Sequence, residues 1–325
     1  MMKKFFAYLA AGSLFIGSCT ENELSEGQNN ILSSDVTTRI CASMEVLAAQ
    51  LNADPKLRLK MESIESHTRD VIASGRLNSQ GKIEIPVVVN VIYRTSSENI
   101  SNVQIQSQID VLNEDFNATN KDVSQTPSLF AGSVADIDVQ FVLAKVNRRS
   151  SNKKSWGTND AMKYSSKGGI DATNPTENLN MWVVNKMTSG GGTILGYAQF
   201  PGGNPATDGV VIGHNFFGRV GRVSAPFDKG RTATHELGHW MNLRHIWGDA
   251  TCGTDHVSDT PQHNIYNFGC PSYPHRSTCS GSPVEMTMNY MDYTDDACMF
   301  MFTEGQKDRA VSTFVVGGPR ASFAD

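Results

Sequence analysis

The 325-residue sequence is short of several things. It has no excess of positive charge. Its 28 lysines and arginines face 33 aspartates and glutamates, a formal net charge of −5, so no basic stripe tracks a nucleic-acid backbone. It has no long block of like charge, no internal repeat and no low-complexity tract. Beyond the N-terminus no apolar run is long enough to cross a bilayer. Cysteine is sparse, with six in all, and no two have the close spacing of a structural zinc knuckle. What remains is a chain of ordinary globular composition, 39% hydrophobic and 19% charged, long enough for one large domain or two small ones.

The N-terminus stands apart. "MMKK" supplies positive charge, and "FFAYLAAGSLFIG" follows as an apolar run of signal-peptide length, too short to span a bilayer comfortably. It ends in "IGSC", which is similar to a bacterial lipobox. Residues 1–18 are therefore expected to be a lipoprotein signal peptide and Cys19 the lipidated residue. An ordinary secretory peptide with a chance cysteine is the alternative. Either way the chain is exported, as an outer-membrane or cell-surface lipoprotein on the first reading, with the membrane met only through the lipid anchor. Export permits disulfides. Cys252, Cys270, Cys279 and Cys298 lie in one loop-rich segment and suit two bridges, for which three pairings are possible. Cys41 is then the odd thiol.

Residues 20–35 are polar and read as a tether, and 36–74 read as helix interrupted near Pro55. "SGRLNSQG" at 74–81 is the main boundary. This divides a tether and helical pro-segment, 19–75, from a main domain, 76–325. Beyond the boundary "IEIPVVVNVIY" reads as a strand covered on both faces. "NVQIQSQIDVLNEDFN" reads as an amphipathic helix with Val103, Ile105, Ile109, Leu112 and Phe116 on or near one face. "IDVQFVLAKV", "NLNMWVVNKM" and "GVVIGHNFF" are further strands, and "RTATHELGHWMNL" is a helix. From 249 to 300 the chain is rich in Cys, Pro, Gly and Asp and reads as irregular. "TEGQKDRAVSTFV" closes it as a helix with Thr303 as N-cap.

The stretch "HELGHWMNLRH" concentrates the chemistry. On a helix His235 and His239, four apart, project from one face, as two ligands of a tetrahedral zinc must. Glu236 is rotated about 100° from His235, so it flanks the metal and can take a proton from water there. His245 binds only if the helix stops and the chain turns back, because six more helical residues would carry it about 9 Å away. Position 242 makes that reversal. Glycine is usual at such a left-handed stop, and asparagine is the next choice at a cost of up to about 1 kcal/mol. Asn242 is a permitted variant. His214, His256, His263 and His275 have no partner at ligand spacing and read as surface or locally hydrogen-bonded side chains.

That stretch resembles the metzincin signature HExxHxxGxxH, departing only at Asn242. "MNYMDYTDDACMFMFTEGQ" supplies the second metzincin element, a methionine turn, through Met291. "NYMDY", "DD" and "C" followed by "FT" and "GQ" resemble the pappalysin family, particularly its bacterial members, over roughly residues 80–316. The resemblance implies an α+β fold: a twisted mixed five-stranded upper sheet, an active-site helix, and a loop-rich lower subdomain beginning near 246. It implies a zinc endopeptidase acting on proteins or peptides, with Met291 as a hydrophobic base under the metal and Tyr293 reaching toward it to bind an oxyanion. A non-catalytic surface-binding lipoprotein that retains the zinc site is the alternative. Intact Glu236 and Tyr293 speak against it.

The resemblance further implies that Asp296 lines the pocket for the residue after the scissile bond and selects Arg, then Lys. It pairs Cys252 with Cys279 and Cys270 with Cys298. "CGTDHVSDTP" offers Asp255, the carbonyl of Val257, Asp259 and Thr260 as hard oxygen ligands that suit calcium, which the family binds in this region. Cys41 is expected as a latency switch, a thiolate serving as fourth zinc ligand. Removing it requires a cut near residue 75. Gly75–Arg76 matches the expected specificity, so self-cleavage there would separate the catalytic domain from the Cys19 anchor.

Overall fold

The computed structural model describes residues 36–77 and 82–324. Cys19 and the leader lie outside the described residues. The first described elements are two helices, α1 (Ser43–Ala53) and α2 (Pro55–Ser74). Asp54 separates them. Its carboxylate accepts the Lys56 N–H, and Pro55 stands at the first helical position, where its missing N–H costs nothing. Gly75 ends α2 in the left-handed conformation at φ +64°. Among the described residues no helix is long and apolar enough to cross a membrane.

The sheet is built from β1 (Ile83–Tyr93), β2 (Val139–Ser150), β3 (Leu179–Val184), β6 (Gly196–Ala198) and β7 (Val210–Gly213), in the order β2-β1-β3-β7-β6. The first four run parallel and β6 is antiparallel to β7, which gives the mixed five-stranded sheet expected. A parallel sheet needs cover on both faces, and alternate residues show it. Met181 and Val183 face one core with Val87, Val89, Val91 and the helices. Trp182 and Val184 face a second core with Trp156, Met162 and Tyr197.

Two strand expectations need correcting, and the edge strand β6 was not expected. "GVVIGHNFF" is strand only over β7, and a 3-10 turn follows at His214–Phe216. "NLNMWVVNKM" is not one strand. It breaks after Val184, where the Asn185 amide turns to the Lys153 and Lys154 carbonyls. Met187 begins β4 (Met187–Ser189), which pairs with β5 (Gly192–Ile194) through Gly190 and Gly191 at φ +55° and +85°. The three-residue edge strand β6 carries too little pattern to be read from sequence.

Helix α3 (Asn102–Phe116) starts at Ser101, whose hydroxyl accepts the Gln104 N–H. Ile105, Ile109, Leu112 and Phe116 are buried, but Val103 is 71% exposed and does not belong to that face. Two residues before Ile105, it is rotated by about 200° and points to solvent. Helix α4 (Arg231–Trp240) lies under the sheet with all ten residues buried. It is tied to α3 by Thr234 and Arg231, which both bond the Asp115 carboxylate. After α4 there is no α-helix until α5 (Glu304–Ser312), which opens with a Thr303–Gln306 capping box. The stretch between is held by two disulfides, Cys252–Cys279 and Cys270–Cys298.

Candidate metal centre

Helix α4 presents His235 and His239 on one side, their rings 4.8 Å apart. Glycine at position 238 has a local reason. A Cβ there would collide with the sulfur of Met291, so its absence lets the methionine lie directly beneath the helix. Met291 is fully buried.

The helix stops where the sequence requires. Asn242 has φ +70°, and Leu243 N–H returns to the Gly238 carbonyl at 2.8 Å. The reversal brings His245 back, so that its Nε2 stands 3.1 Å from that of His239. Each Nδ1 has a partner: the Tyr290 carbonyl at 2.7 Å for His235, the Leu243 carbonyl at 2.9 Å for His239, and the Asp249 carboxylate at 2.5 Å for His245. The His235 Nε2 is buried without a hydrogen-bond partner. An orphaned buried nitrogen calls for an explanation, and a metal supplies one. The sulfur of Cys41 and one nitrogen from each histidine all lie within 4.8 Å of one another. Donor set and spacing fit zinc. Burial, reinforced by the other two imidazoles, pushes His235 well below the ordinary imidazole range; burial and His245 take His239 down to about 3. Both are therefore neutral, as ligation requires.

Glu236 points to the same space. Burial raises its pKa to about 7, against the lowering effect of hydrogen bonds from Ser43 and Cys41. The Ser43 hydroxyl donates to its Oε2 at 2.8 Å and the Cys41 thiol at 3.2 Å. Burial and the charge of Glu236 together push that thiol well above its usual value. Strand β6 passes overhead, where a Cβ on Gly196 would lie 3.0 Å from Glu236 Cγ. Residues 40–42 pair along this edge. Leu195 N–H donates to the Ile40 carbonyl at 3.0 Å and Ala42 N–H to the Gly196 carbonyl at 3.2 Å. Below, the Tyr293 hydroxyl donates to the Cys41 carbonyl at 3.3 Å, and its ring lies 5.0 Å from that of His245.

Asp296 is fully buried beside this centre. One oxygen meets the Arg39 guanidinium at 2.6 Å, and the other accepts the Lys229 and Arg231 N–H groups at 2.8 and 3.2 Å. Arg39 is itself 1% exposed. It also donates to the Thr294 carbonyl and the Thr232 hydroxyl and lies over the Phe227 ring. Sequence reasoning missed Arg39, Ser43 and Asp249. Nothing local marks the first two, whose partners are 257 and 193 residues away. Asp249 could have been noticed four residues after a ligand histidine.

Of the proposed oxygen ligands, three converge. The Thr260 hydroxyl is 2.9 Å from both Asp255 oxygens and 3.1 Å from the Val257 carbonyl. Asp255 is buried, and burial raises its pKa to about 6. Asp259 does not join them. Its carboxylate turns to the start of α5, accepting the Thr303 hydroxyl and the Gly305 N–H, because unpaired N–H groups at a helix start attract a carboxylate. Gly75 and Arg76 are exposed at the end of α2. Of the other histidines, His263 is buried and accepts the Met286 N–H, His214 bonds the Asn185 carbonyl, and His256 and His275 are exposed.

Zinc metalloproteases of the metzincin class are built in this way, and comparison with known proteins narrows the class. The profile of peptidase family M43, described as pregnancy-associated plasma protein-A, matches residues 164–315. Extracellular metalloprotease 1 of Coccidioides posadasii is 35% identical over 248 residues, 72% of this chain and 77% of that one. Among solved structures, a Tannerella forsythia promirolysin variant is 42% identical with a TM-score of 0.77, covering 88% of this chain and 97% of that one. Mature mirolysin of T. forsythia in complex with a cleaved peptide is 45% identical with a TM-score of 0.71, covering 75% and 96%. The chain belongs to the pappalysin family of metalloproteases.

Proposed function

We propose that this chain is the latent precursor of an exported zinc endopeptidase that cuts peptide bonds before arginine. The observation that carries the reading is Arg39, an arginine of the chain's own N-terminal segment, seated on the buried carboxylate of Asp296 beside the histidines. A buried anion with a guanidinium-sized space selects a cationic side chain, and Arg fits such a carboxylate better than Lys.

His235, His239 and His245 would hold zinc, which when bound would supply Lewis acidity to the scissile carbonyl and lower the pKa of the attacking water. Glu236, once released from Ser43 and Cys41, takes the proton of that water and passes it to the leaving amine. The Tyr293 hydroxyl, free of the Cys41 carbonyl, donates to the developing oxyanion. Met291 packs under the helix and fixes the height of both histidines.

Latency follows from the same contacts. Cys41 offers its sulfur as a fourth ligand, Ser43 occupies Glu236, and Arg39 fills the pocket. The promirolysin structure covers more of this chain than the mature form does, 88% against 75%, which favours an inhibitory segment here. On this reading 19–75 is the pro-segment and 76–325 the catalytic domain, divided near residue 246 into upper and lower parts. Cleavage between Gly75 and Arg76, at an exposed helix end, releases it from an anchor at Cys19. Relatives named extracellular metalloproteases favour export. Calcium belongs with Asp255, the Val257 carbonyl and Thr260, since a buried carboxylate without a cation is otherwise costly.

The test is a peptide library digested by the processed protein. Cleavage before arginine is expected, and Asp296→Asn should lower kcat/KM for arginine peptides by about 100-fold while sparing neutral ones. Asparagine is the better substitution because it keeps an acceptor for the Lys229 and Arg231 N–H groups. An arginine preference that survives Asp296→Asn overturns the pocket assignment.

A further inference from the structure

We propose that Asp249 is a positioning residue of the metal centre, holding the third histidine, His245, in the tautomer and ring orientation that ligation needs. The inference rests on the zinc reading of the three histidines and adds a residue that holds one of them in place.

The three imidazoles are oriented by unequal means. His235 and His239 stand on α4, whose backbone fixes their stems, and their Nδ1 atoms meet neutral backbone carbonyls. His245 lies beyond the turn at Asn242, in chain that is neither helix nor strand. Its Nδ1 alone among the three meets a charged group, Asp249 at 2.5 Å. The indole of Trp247 lies flat on its ring, centroids 4.2 Å apart and planes 8° from parallel. Carboxylate on one edge and indole on one face hold the ring in this orientation.

The local sequence HIWGD builds this clamp. Gly248 N–H closes a turn on the His245 carbonyl at 2.8 Å. Gly248 and Asp249 then take consecutive left-handed conformations, φ +64° and +58°, which bring the carboxylate back to the Nδ1 edge of the ring. Glycine is required at 248, where a Cβ would collide with the backbone of Thr254. Asp249 is a residue type that tolerates positive φ. A carboxylate on Nδ1 holds the proton there, so Nε2 turns its lone pair to the shared space and becomes a stronger donor.

Two variants separate the carboxylate from the backbone it sits on. Asp249→Asn keeps an acceptor and removes the charge. Asp249→Gly removes the side chain while suiting the left-handed backbone. Zinc affinity of the full-length chain is read by competition with a chromophoric chelator, with the absorption spectrum of the cobalt-substituted protein as second readout. One zinc per wild-type chain is expected, with affinity about 10-fold weaker in Asp249→Asn and about 100-fold weaker in Asp249→Gly. The cobalt bands should shift, and melting of the metal-free forms should not change. Wild-type affinity and spectrum in both variants overturn the proposal, as does a loss of melting temperature in the metal-free forms as large as in the loaded ones. A wild-type chain that takes up no zinc removes the reading beneath it, and that result differs from a failure of the variants alone.

Discussion

His235, Glu236 and His239 reach the metal centre from a fully buried helix beneath a five-stranded sheet. His245, Met291, Tyr293 and Asp296 reach it from residues 241–303, which contain no α-helix and no strand longer than an isolated bridge. In the upper part, apolar burial and the backbone ladder set direction. In the lower part, scattered backbone hydrogen bonds and buried side chains hold the chain one group at a time. Asn289 accepts the Met291 N–H at 2.9 Å and exchanges hydrogen bonds with Gln306. Asp292 accepts the N–H groups of Tyr293 and Asn267. Two disulfides close loops across the same stretch. An ordered stretch is thus built without a regular ladder, because buried polar groups find partners and cross-links limit the unfolded chain.

The largest expected effect contrasts a chemical group from each part. Glu236→Ala should reduce kcat by up to about 10⁴-fold, the upper range for general acid–base work. Tyr293→Phe should cost about 100-fold with little change in KM, as befits one oxyanion donor. Full turnover by the phenylalanine variant would remove Tyr293 from the reaction.

A second experiment compares the scaffolds. Ile109→Ala in the upper core and the pair Cys252→Ser with Cys279→Ser in the lower part should each cost about 2–5 kcal/mol. Their activities should part company. Below its melting temperature the core variant keeps near-normal kcat, whereas the disulfide variant loses kcat at temperatures where circular dichroism still reports a folded sheet. Parallel loss of both signals in the disulfide variant would show that the two parts are not separately held.

The smallest effect concerns Asp255. Its folded pKa, about 6, lies above the ordinary carboxylate value of 3.8. The folded state therefore binds this proton more tightly than the unfolded chain does. Below about pH 4 the group costs nothing, and stability without a cation falls as pH rises from about 4 to 6. Calcium should reverse the loss, so its addition should raise the melting temperature more at pH 7 than at pH 4. An equal gain at both pH values, or none, would dismiss the site.

Much of the centre was legible in residue order. The helix-borne pair, the flanking glutamate and the third histidine lie within eleven residues, and Asn242 announces the reversal because few residues accept positive φ. Strand β1 follows from its nearly continuous apolar run and the buried face of α3 from periodicity, although Val103 was assigned to the wrong side. Asp259 meets the start of α5 in place of the other oxygen donors; its acidic side chain suits a helix start as well as a cation, and sequence does not say which is nearer. Arg39 and Ser43 carry no signal of their own; their importance comes from what they meet across the fold.

Residue order by itself determined the local chemistry: which side chains share a helix face, where the helix stops, and which donors stand within a turn of each other. Backbone geometry over a few residues is set by bond angles and allowed torsions, and these travel with the sequence. Only the tertiary structure decided that Arg39 lies on Asp296, that Met291 slides under Gly238, and that Cys41 stands beside three imidazoles. Those meetings come from packing the apolar surfaces of distant segments together, a term with no direction along the chain, so the pairing appears only when the whole core is assembled.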